Sequence, residues 1–169
     1  LAERVAAVLR EYGQPALVED MIDGREFHVS LWGNGSVHML PPVEMDFSAF
    51  ENVRDRVCTY ESKFCPGSRH YEGIQTRLPA DLRPEEKRRL EQVSQAAYRT
   101  LGCRDYARLD IRLRDGVFYV LDVNPNPDIS SDASVALAAE EAGYPFAAMV
   151  CQIVRLAAQR HPRWRRQFT

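Results

Sequence analysis

Apolar residues recur along this chain with two periods, one helical and one of two residues, in alternating blocks. From Leu1 to Tyr12 the spacing of Leu1, Val5, Val8 and Leu9 predicts an amphipathic helix that stops at Gly13. Pro15 and the run Ala16-Leu17-Val18-Glu19 predict a buried strand, and Gly24 a turn. The period then becomes two. Phe27, Val29, Leu31, Val37 and Met39 alternate with Glu26, His28, Ser30 and His38, which predicts a hairpin of Glu26 to Leu31 and Val37 to Leu40 around Trp32-Gly33-Asn34-Gly35-Ser36. From Pro41 to Leu82 the pattern weakens, with a strand expected near Val57 to Phe64 and a polar stretch from Pro66 to Thr76. Helical spacing returns from Pro84 to Leu101, with Leu90, Val93, Ala97 and Leu101 on one face and Gly102 at the end. Two more helices close the chain. Ser131 or Asp132 caps one that runs to Gly143, and Pro145 opens another that ends near Arg160.

Between these helices, Arg108 to Pro127 reads as a second hairpin. Leu109, Ile111 and Leu113 share one face of its first strand; Val117, Tyr119, Leu121 and Val123 share one face of its second. A three-residue loop, Arg114-Asp115-Gly116, puts both apolar sets on the same side, whereas a two-residue Asp115-Gly116 turn leaves Asp122 on the apolar side. The three-residue loop therefore gathers Arg108, Asp110, Arg112, Asp122 and Asn124 on the opposite face. Asp110, Asp122 and Asn124 are oxygen donors suited to a hard cation such as Mg²⁺. From spacing alone the hairpin also fits a solvated face that keeps the sheet soluble. The prolines of Asn124-Pro125-Asn126-Pro127-Asp128 favour the first reading, because they end the ladder and place polar side chains at the strand terminus.

Composition narrows the class without naming a function. A length of 169 residues supports one domain with a core, and a net charge of -2 provides no general field for nucleic acid. No run approaches the roughly 20 apolar residues of a membrane span, and no leader pattern opens the chain, so a cytoplasmic location without membrane or nucleic-acid partners is expected. Arg163-Trp164-Arg165-Arg166 reads as a solvated basic terminus. Cys58, Cys65, Cys103 and Cys151 are scattered, as reduced thiols would be, rather than as a zinc site or disulfide framework. Only Lys63 and Lys87 are lysines. Lys87 belongs to an exposed helix start, which leaves Lys63 as the one lysine suggesting a need for a compact point charge. The chain opens at Leu1, already in helical rhythm, and reads as a piece of a longer protein.

An acidic set facing a polar cleft, with Lys63 and Arg108 nearby, describes a nucleotide phosphate site. No nucleophile elbow and no Walker A loop is present, and His28, His38, His70 and His161 lack metal-ligand spacing. The segments Leu17-Val18-Glu19-Asp20-Met21-Ile22-Asp23-Gly24-Arg25-Glu26-Phe27, Tyr60-Glu61-Ser62-Lys63-Phe64, Leu101-Gly102-Cys103, Arg108-Leu109-Asp110 and Leu121-Asp122-Val123-Asn124-Pro125-Asn126-Pro127 follow in an order that resembles the C-terminal part of an ATP-grasp ligase, within it the D-alanine–D-alanine ligase group. The resemblance runs over nearly the whole chain. It implies a carboxylate–amine ligase, in which ATP phosphorylates a carboxylate and an amine attacks the acyl phosphate.

The same resemblance implies roles residue by residue. Glu19, Asp20 and Ile22 match the interlobe linker that reads adenine, although Ile22 fits a plain core position equally well. Glu26 matches the carboxylate that accepts the ribose hydroxyls, and Lys63 the phosphate-contacting lysine. Arg108 matches the arginine beside the reacting centre, and Asp110, Asp122 and Asn124 the ligands of two Mg²⁺ ions, with Mn²⁺ as an alternative. Arg112 matches no firm role. Asp122 stands where the family usually has Glu, Phe64 where it often has Tyr, and Asp128 where Gly is common. These departures point away from D-alanine as substrate while keeping the reaction class. Asp128, Ser130 and Ser134 lie where the acceptor substrate is expected; Ser131 could also contribute, and capping explains at least one of these serines equally well.

The expected fold is α+β: an antiparallel sheet built from hairpins with helices on one face, forming a single C-terminal lobe over residues 1–169. Residues 1–22 are expected to be the end of a preceding small lobe and the linker. The N-terminal domain and glycine-rich-loop lobe of the family have no counterpart in this sequence, so the fragment alone is expected to be inactive. The intact protein is expected to take ATP and small amino-acid or carboxylate substrates, with a homodimer compatible. The alternatives are a degenerate or regulatory nucleotide-binding ATP-grasp module, and a non-catalytic interaction domain.

Overall fold

The alternation of Phe27, Val29 and Leu31 with Glu26, His28 and Ser30 produces a strand, β1 (Arg25–Trp32), buried over nearly its whole length. Both its edges are covered. The computed structural model, which describes residues 1–164 apart from the side chains of Lys63 and Phe64, pairs one edge of β1 antiparallel with β5 (Tyr106–Arg114), from Arg25↔Leu113 to Trp32↔Tyr106. The other edge is shared by β3 (Val43–Asp46), opposite Glu26 to His28, and β2 (His38–Met39), opposite Leu31 and Trp32. β4 (Gln75–Arg77) extends the sheet beyond β3, and β6 (Val117–Asn124) extends it beyond β5, giving the order β4-β3-β1-β5-β6.

One face of this sheet is apolar. Phe27, Val29, Leu31, Leu109, Ile111 and Leu113 pack with Leu90 and Tyr98 of α4 (Pro84–Thr100). Each such side chain contributes about 1.5–3 kcal/mol when fully buried. Pro84 opens α4, and the Glu86 carboxylate accepts the Arg83 backbone N–H at 3.1 Å. The Tyr98 hydroxyl donates to the Gly33 carbonyl at 2.9 Å, and burial pushes its phenol pKa up.

The opposite face is polar at its centre and apolar at the Trp32 end. There Trp32, Leu40 and Val43 meet Val135, Ala136 and Ala139 of α5 (Ser134–Glu141) and Met149 of α6 (Phe146–Arg160). The antiparallel α+β architecture is the expected one. Its helices are divided, however, with α4 across one face and α5 and α6 at one end of the other.

Several local expectations fail. Ala16 to Glu19 forms no strand, and Leu17 and Val18 are exposed, because both edges of β1 are already taken. The strand expected over Val57 to Phe64 is instead the helix α2 (Tyr60–Phe64), whose start is capped by Thr59 accepting from the Ser62 N–H at 3.3 Å. A second short helix, α3 (Arg69–Gly73), follows it, and β3 and β4 complete the region that the sequence pattern left open. α5 begins at Ser134 rather than after Ser131 or Asp132, since a turn in which Ala133 N–H donates to the Ser130 carbonyl uses those residues first. Helix α1 (Ala2–Tyr12) ends at Gly13 in the left-handed conformation as expected, and none of its residues is buried. None of the four cysteines forms a disulfide among the described residues. Among the described residues, no helix is long and apolar enough to cross a membrane.

Candidate nucleotide and metal site

The polar face of β1, β5 and β6 is a grid set by register. Glu26 pairs with Arg112, His28 with Asp110 and Ser30 with Arg108; across the next ladder Arg112 pairs with Tyr119, Asp110 with Asp122 and Arg108 with Asn124. The predicted convergence of Arg108, Asp110, Asp122 and Asn124 is therefore present.

It arises by another route than the three-residue loop. Arg114 pairs with Val117, and the turn is the two-residue Asp115-Gly116, with φ of 52° and 77°. Positive φ at both centres is the turn geometry that matches strand twist, and Asp-Gly supplies it at low cost. This turn alone would put Asp122 on the apolar side. A β-bulge between Ile111↔Val120 and Asp110↔Asp122 takes up Leu121 as an extra residue and restores the parity. The expected face Val117, Tyr119, Leu121, Val123 is corrected accordingly. Phe118 and Val123 pack against the apolar core, and Tyr119 lies opposite Arg112 on the polar side.

Charge is distributed unevenly over the grid. Arg112 is buried and donates to Glu26 Oε2 at 2.7 Å, to the Ile22 carbonyl at 2.6 Å and to the Arg56 carbonyl; its guanidinium also lies 5.6 Å from the Phe47 ring centroid. It thus ties the segment before β1 and the loop after the 3-10 turn Val53–Asp55 to the sheet. Gly24 permits that approach, because a Cβ there would lie 2.2 Å from the Leu113 carbonyl oxygen. Arg108 grips Asp110 with two hydrogen bonds, Nε to Oδ1 at 2.7 Å and an Nη to Oδ2 at 3.0 Å. The Asp122 side chain has no hydrogen-bond or ion-pair partner among the described residues, and it is exposed directly opposite Asp110. Like charges facing across strands destabilise, so the arrangement favours a cation at this edge.

A cavity of about 230 Å³ opens beside this face. Its lining includes Asp20, Ile22, Glu26, Cys58, Asp110, Leu121 and Asp122. Glu19 is exposed and outside that lining. Lys63 is on α2, and its side chain lies outside the described residues, as do Arg165 and Arg166. Asn124 Oδ1 accepts the Asn126 N–H at 2.9 Å. Asp128 accepts from the Ser130 N–H at 2.8 Å and hydroxyl at 2.6 Å. Those two bonds, with the Arg108 charge, hold its carboxyl below the ordinary range. Ser134 Oγ lies 2.8 Å from His28 Nδ1. Sequence reasoning missed Arg112 and His28 as parts of this floor. Their place on the polar face was visible; their partners, far away in sequence, were not.

Comparison with known proteins identifies the family. A family model described as D-ala D-ala ligase C-terminus matches residues 1–155. The chain belongs to this ATP-grasp family. Among curated relatives, an uncharacterized protein, y4sG, of Sinorhizobium fredii is 35% identical over 162 residues, 95% of this chain and 46% of that protein. The D-alanine--D-alanine ligase of Desulforamulus reducens is 33% identical over 160 residues, 94% and 47% respectively. This member of the ligase family thus spans about half the length of the curated relatives it matches. Its fold is shared with the D-alanine--D-alanine ligase of Bacillus anthracis complexed with ATP, at TM-score 0.71 and 21% identity over 94% of this chain and 47% of that one. The Coxiella burnetii ligase superposes with TM-score 0.72 at 21% identity, covering 98% of this chain and 40% of that one.

Proposed function

We propose that this chain is the C-terminal part of an ATP- and Mg²⁺-dependent carboxylate–amine ligase that makes an amide or peptide bond through an acyl phosphate. The observation that carries the reading is the cavity lined by Asp20, Ile22 and Glu26 together with Asp110 and Asp122. The first group suits a nucleoside and the second the charged end of a nucleotide. Residues 1–22 are read as the connection to a second lobe, in keeping with an α1 that buries nothing here.

Asp110, Asp122 and Asn124 offer only hard oxygen donors, which fits Mg²⁺, and the uncommitted carboxylate of Asp122 is the most available of them. When bound, the ion neutralises phosphate oxygens and helps align them for in-line transfer. The acid's carboxylate oxygen attacks the γ-phosphorus and ADP leaves with the bridging oxygen. The amine nitrogen then attacks the acyl carbon, phosphate departs with the acyl C–O electrons, and the amine proton passes to solvent. Arg108, fixed in plane by Asp110, stabilises charge on the acyl phosphate and on the tetrahedral intermediate. Lys63 would contact phosphate. Asp128, Ser130 and Ser134 border the acceptor position in this reading, with Ser134 also steering His28.

Calorimetric titration of ATP with and without Mg²⁺, followed by ADP release from the full-length protein against an amino-acid panel, tests this reading. Acid-dependent release abolished by Asp110→Ala is the expected result. Absence of Mg²⁺-dependent nucleotide binding in the full-length protein overturns it. Tight binding without turnover replaces it with a regulatory nucleotide-binding module, for which the shorter Asp122 is the structural argument.

A further inference from the structure

Next to the hard oxygen donors lies a softer set. One carboxylate oxygen of Glu26, a ring nitrogen of His28 and the sulfur of Cys58 lie within 4.8 Å of one another, Glu26 and His28 buried and Cys58 half-buried. We propose that these three side chains form a site for a divalent cation of the zinc class, separate in chemistry from the Asp110–Asp122 edge. A thiolate, an imidazole and a carboxylate select zinc over magnesium, and three protein ligands leave a fourth tetrahedral position for water.

Three features of the geometry support it. Tetrahedral zinc with bonds of about 2.0–2.3 Å holds its donors about 3.3–3.8 Å apart, so side-chain shifts of roughly 1 Å close the set. His28 Nε2 is 3.9 Å from Glu26 Oε1, close to that spacing. On the far side of the ring, Nδ1 meets Ser134 Oγ at 2.8 Å. A hydrogen bond donated from Nδ1 puts the lone pair on Nε2, which is how a second partner orients a metal-binding histidine. Arg112 engages Glu26 through Oε2, which fixes the carboxylate and leaves Oε1 directed at His28. The Cys58 thiol loses its proton to solvent when the metal binds.

Because Glu26 and Cys58 also line the cavity, a cation here competes with nucleotide; that clause alone rests on the ligase reading. Cobalt is the probe. Titrating Co²⁺ into the reduced protein without Mg²⁺ is expected to give one site per chain with a thiolate-to-cobalt charge-transfer band that Zn²⁺ removes. Cys58→Ser abolishes the band and weakens binding at least tenfold. His28→Gln weakens it similarly, and Cys151→Ala, at an exposed position of α6, changes neither. A band that persists in Cys58→Ser, or affinity unchanged there, overturns the site, and far-UV circular dichroism verifies that each variant is folded. For competition, the Mg²⁺·ATP affinity of the unsubstituted protein is measured at chelator-buffered zinc levels. A tenfold loss as zinc saturates supports the overlap and an unchanged affinity overturns it. Absent ATP binding at every zinc level counts against the ligase reading while the cobalt result stands.

Discussion

Arg112 and Arg108 lie on the same strand, point to the same face and each hold a carboxylate, yet they close the two ends of that face differently. Arg112 and Glu26 are almost sealed, with side-chain exposures of 3% and 6%. Arg112 also spends donors on carbonyls of Ile22 and Arg56, which belong to two other segments. Arg108 and Asp110 are more open, at 11% and 17%, and their neighbour Asp122 is left without a partner among the described residues. One end is a clasp in which the Arg112 charge is consumed by the fold and Glu26 keeps only Oε1 facing His28. The other leaves the Asp122 carboxylate exposed opposite Asp110. The contrast separates an arginine engaged by several segments of the fold from one that engages a single carboxylate at an open edge, although sequence spacing alone makes them look equivalent.

The largest effect tests the closed end. Arg112→Met leaves Glu26 buried without its counter-charge and is expected to cost about 3–5 kcal/mol in urea unfolding. Adding Glu26→Gln should recover part of this loss, since the stranded charge is gone. A single-variant cost below about 1 kcal/mol would mean that the clasp is not there. At the open end the effect moves from stability to ligand. Asp122→Asn is expected to leave folding within about 0.5 kcal/mol, as an exposed substitution does. The same variant should weaken Mg²⁺-dependent nucleotide binding at least tenfold, about 1.4 kcal/mol, in calorimetry.

A pair outside the face calibrates the scale. Asp105 accepts from Arg160 and Asn34, and those bonds hold its carboxyl below the ordinary range against the opposing cost of burial. A depressed carboxyl stabilises the fold above its unfolded pKa of about 4, and the contribution fades as pH falls through the lower folded value. Arg160 is substantially open to solvent, so Asp105→Asn should cost only about 1 kcal/mol at neutral pH. The gap between variant and parent in thermal unfolding should close in acid below pH about 4. The smallest expected effect is at Ser30, whose buried hydroxyl has no partner among the described residues. Ser30→Ala should be neutral within about 0.5 kcal/mol or slightly stabilising, because it removes an unsatisfied buried group. A clear loss of stability would indicate an ordered water at that position.

Much of the fold was legible because its signals are local. The period of α4, the glycine after α1 and the alternation of β1 are each written within one element, and each matches the structure. The failures also share a cause. Thr59 turned a strand-like run into a helix start, and Ala16 to Glu19 had strand character with no edge to join. The turn of the second hairpin shows where local reasoning stops. Alternation required Asp110 and Asp122 on one face but could not choose between a longer loop and a short turn with a bulge. Pairing decided it, because the Asp-Gly turn fits strand twist and the ladder accommodates Leu121 elsewhere.

The sequence by itself determined which residues share a face within each strand: period-two spacing leaves one polar set with Glu26 and His28 and another with Arg108, Asp110 and Arg112. Only the tertiary structure decided what each of them does there. Arg112 finds Glu26 86 residues away and Ile22 90 residues away, and His28 finds Ser134 106 residues away. Contacts across such separations depend on which strands become neighbours and which helix closes over them. No local pattern records that choice, so the face could be read from the chain while its division into clasp and open edge could not.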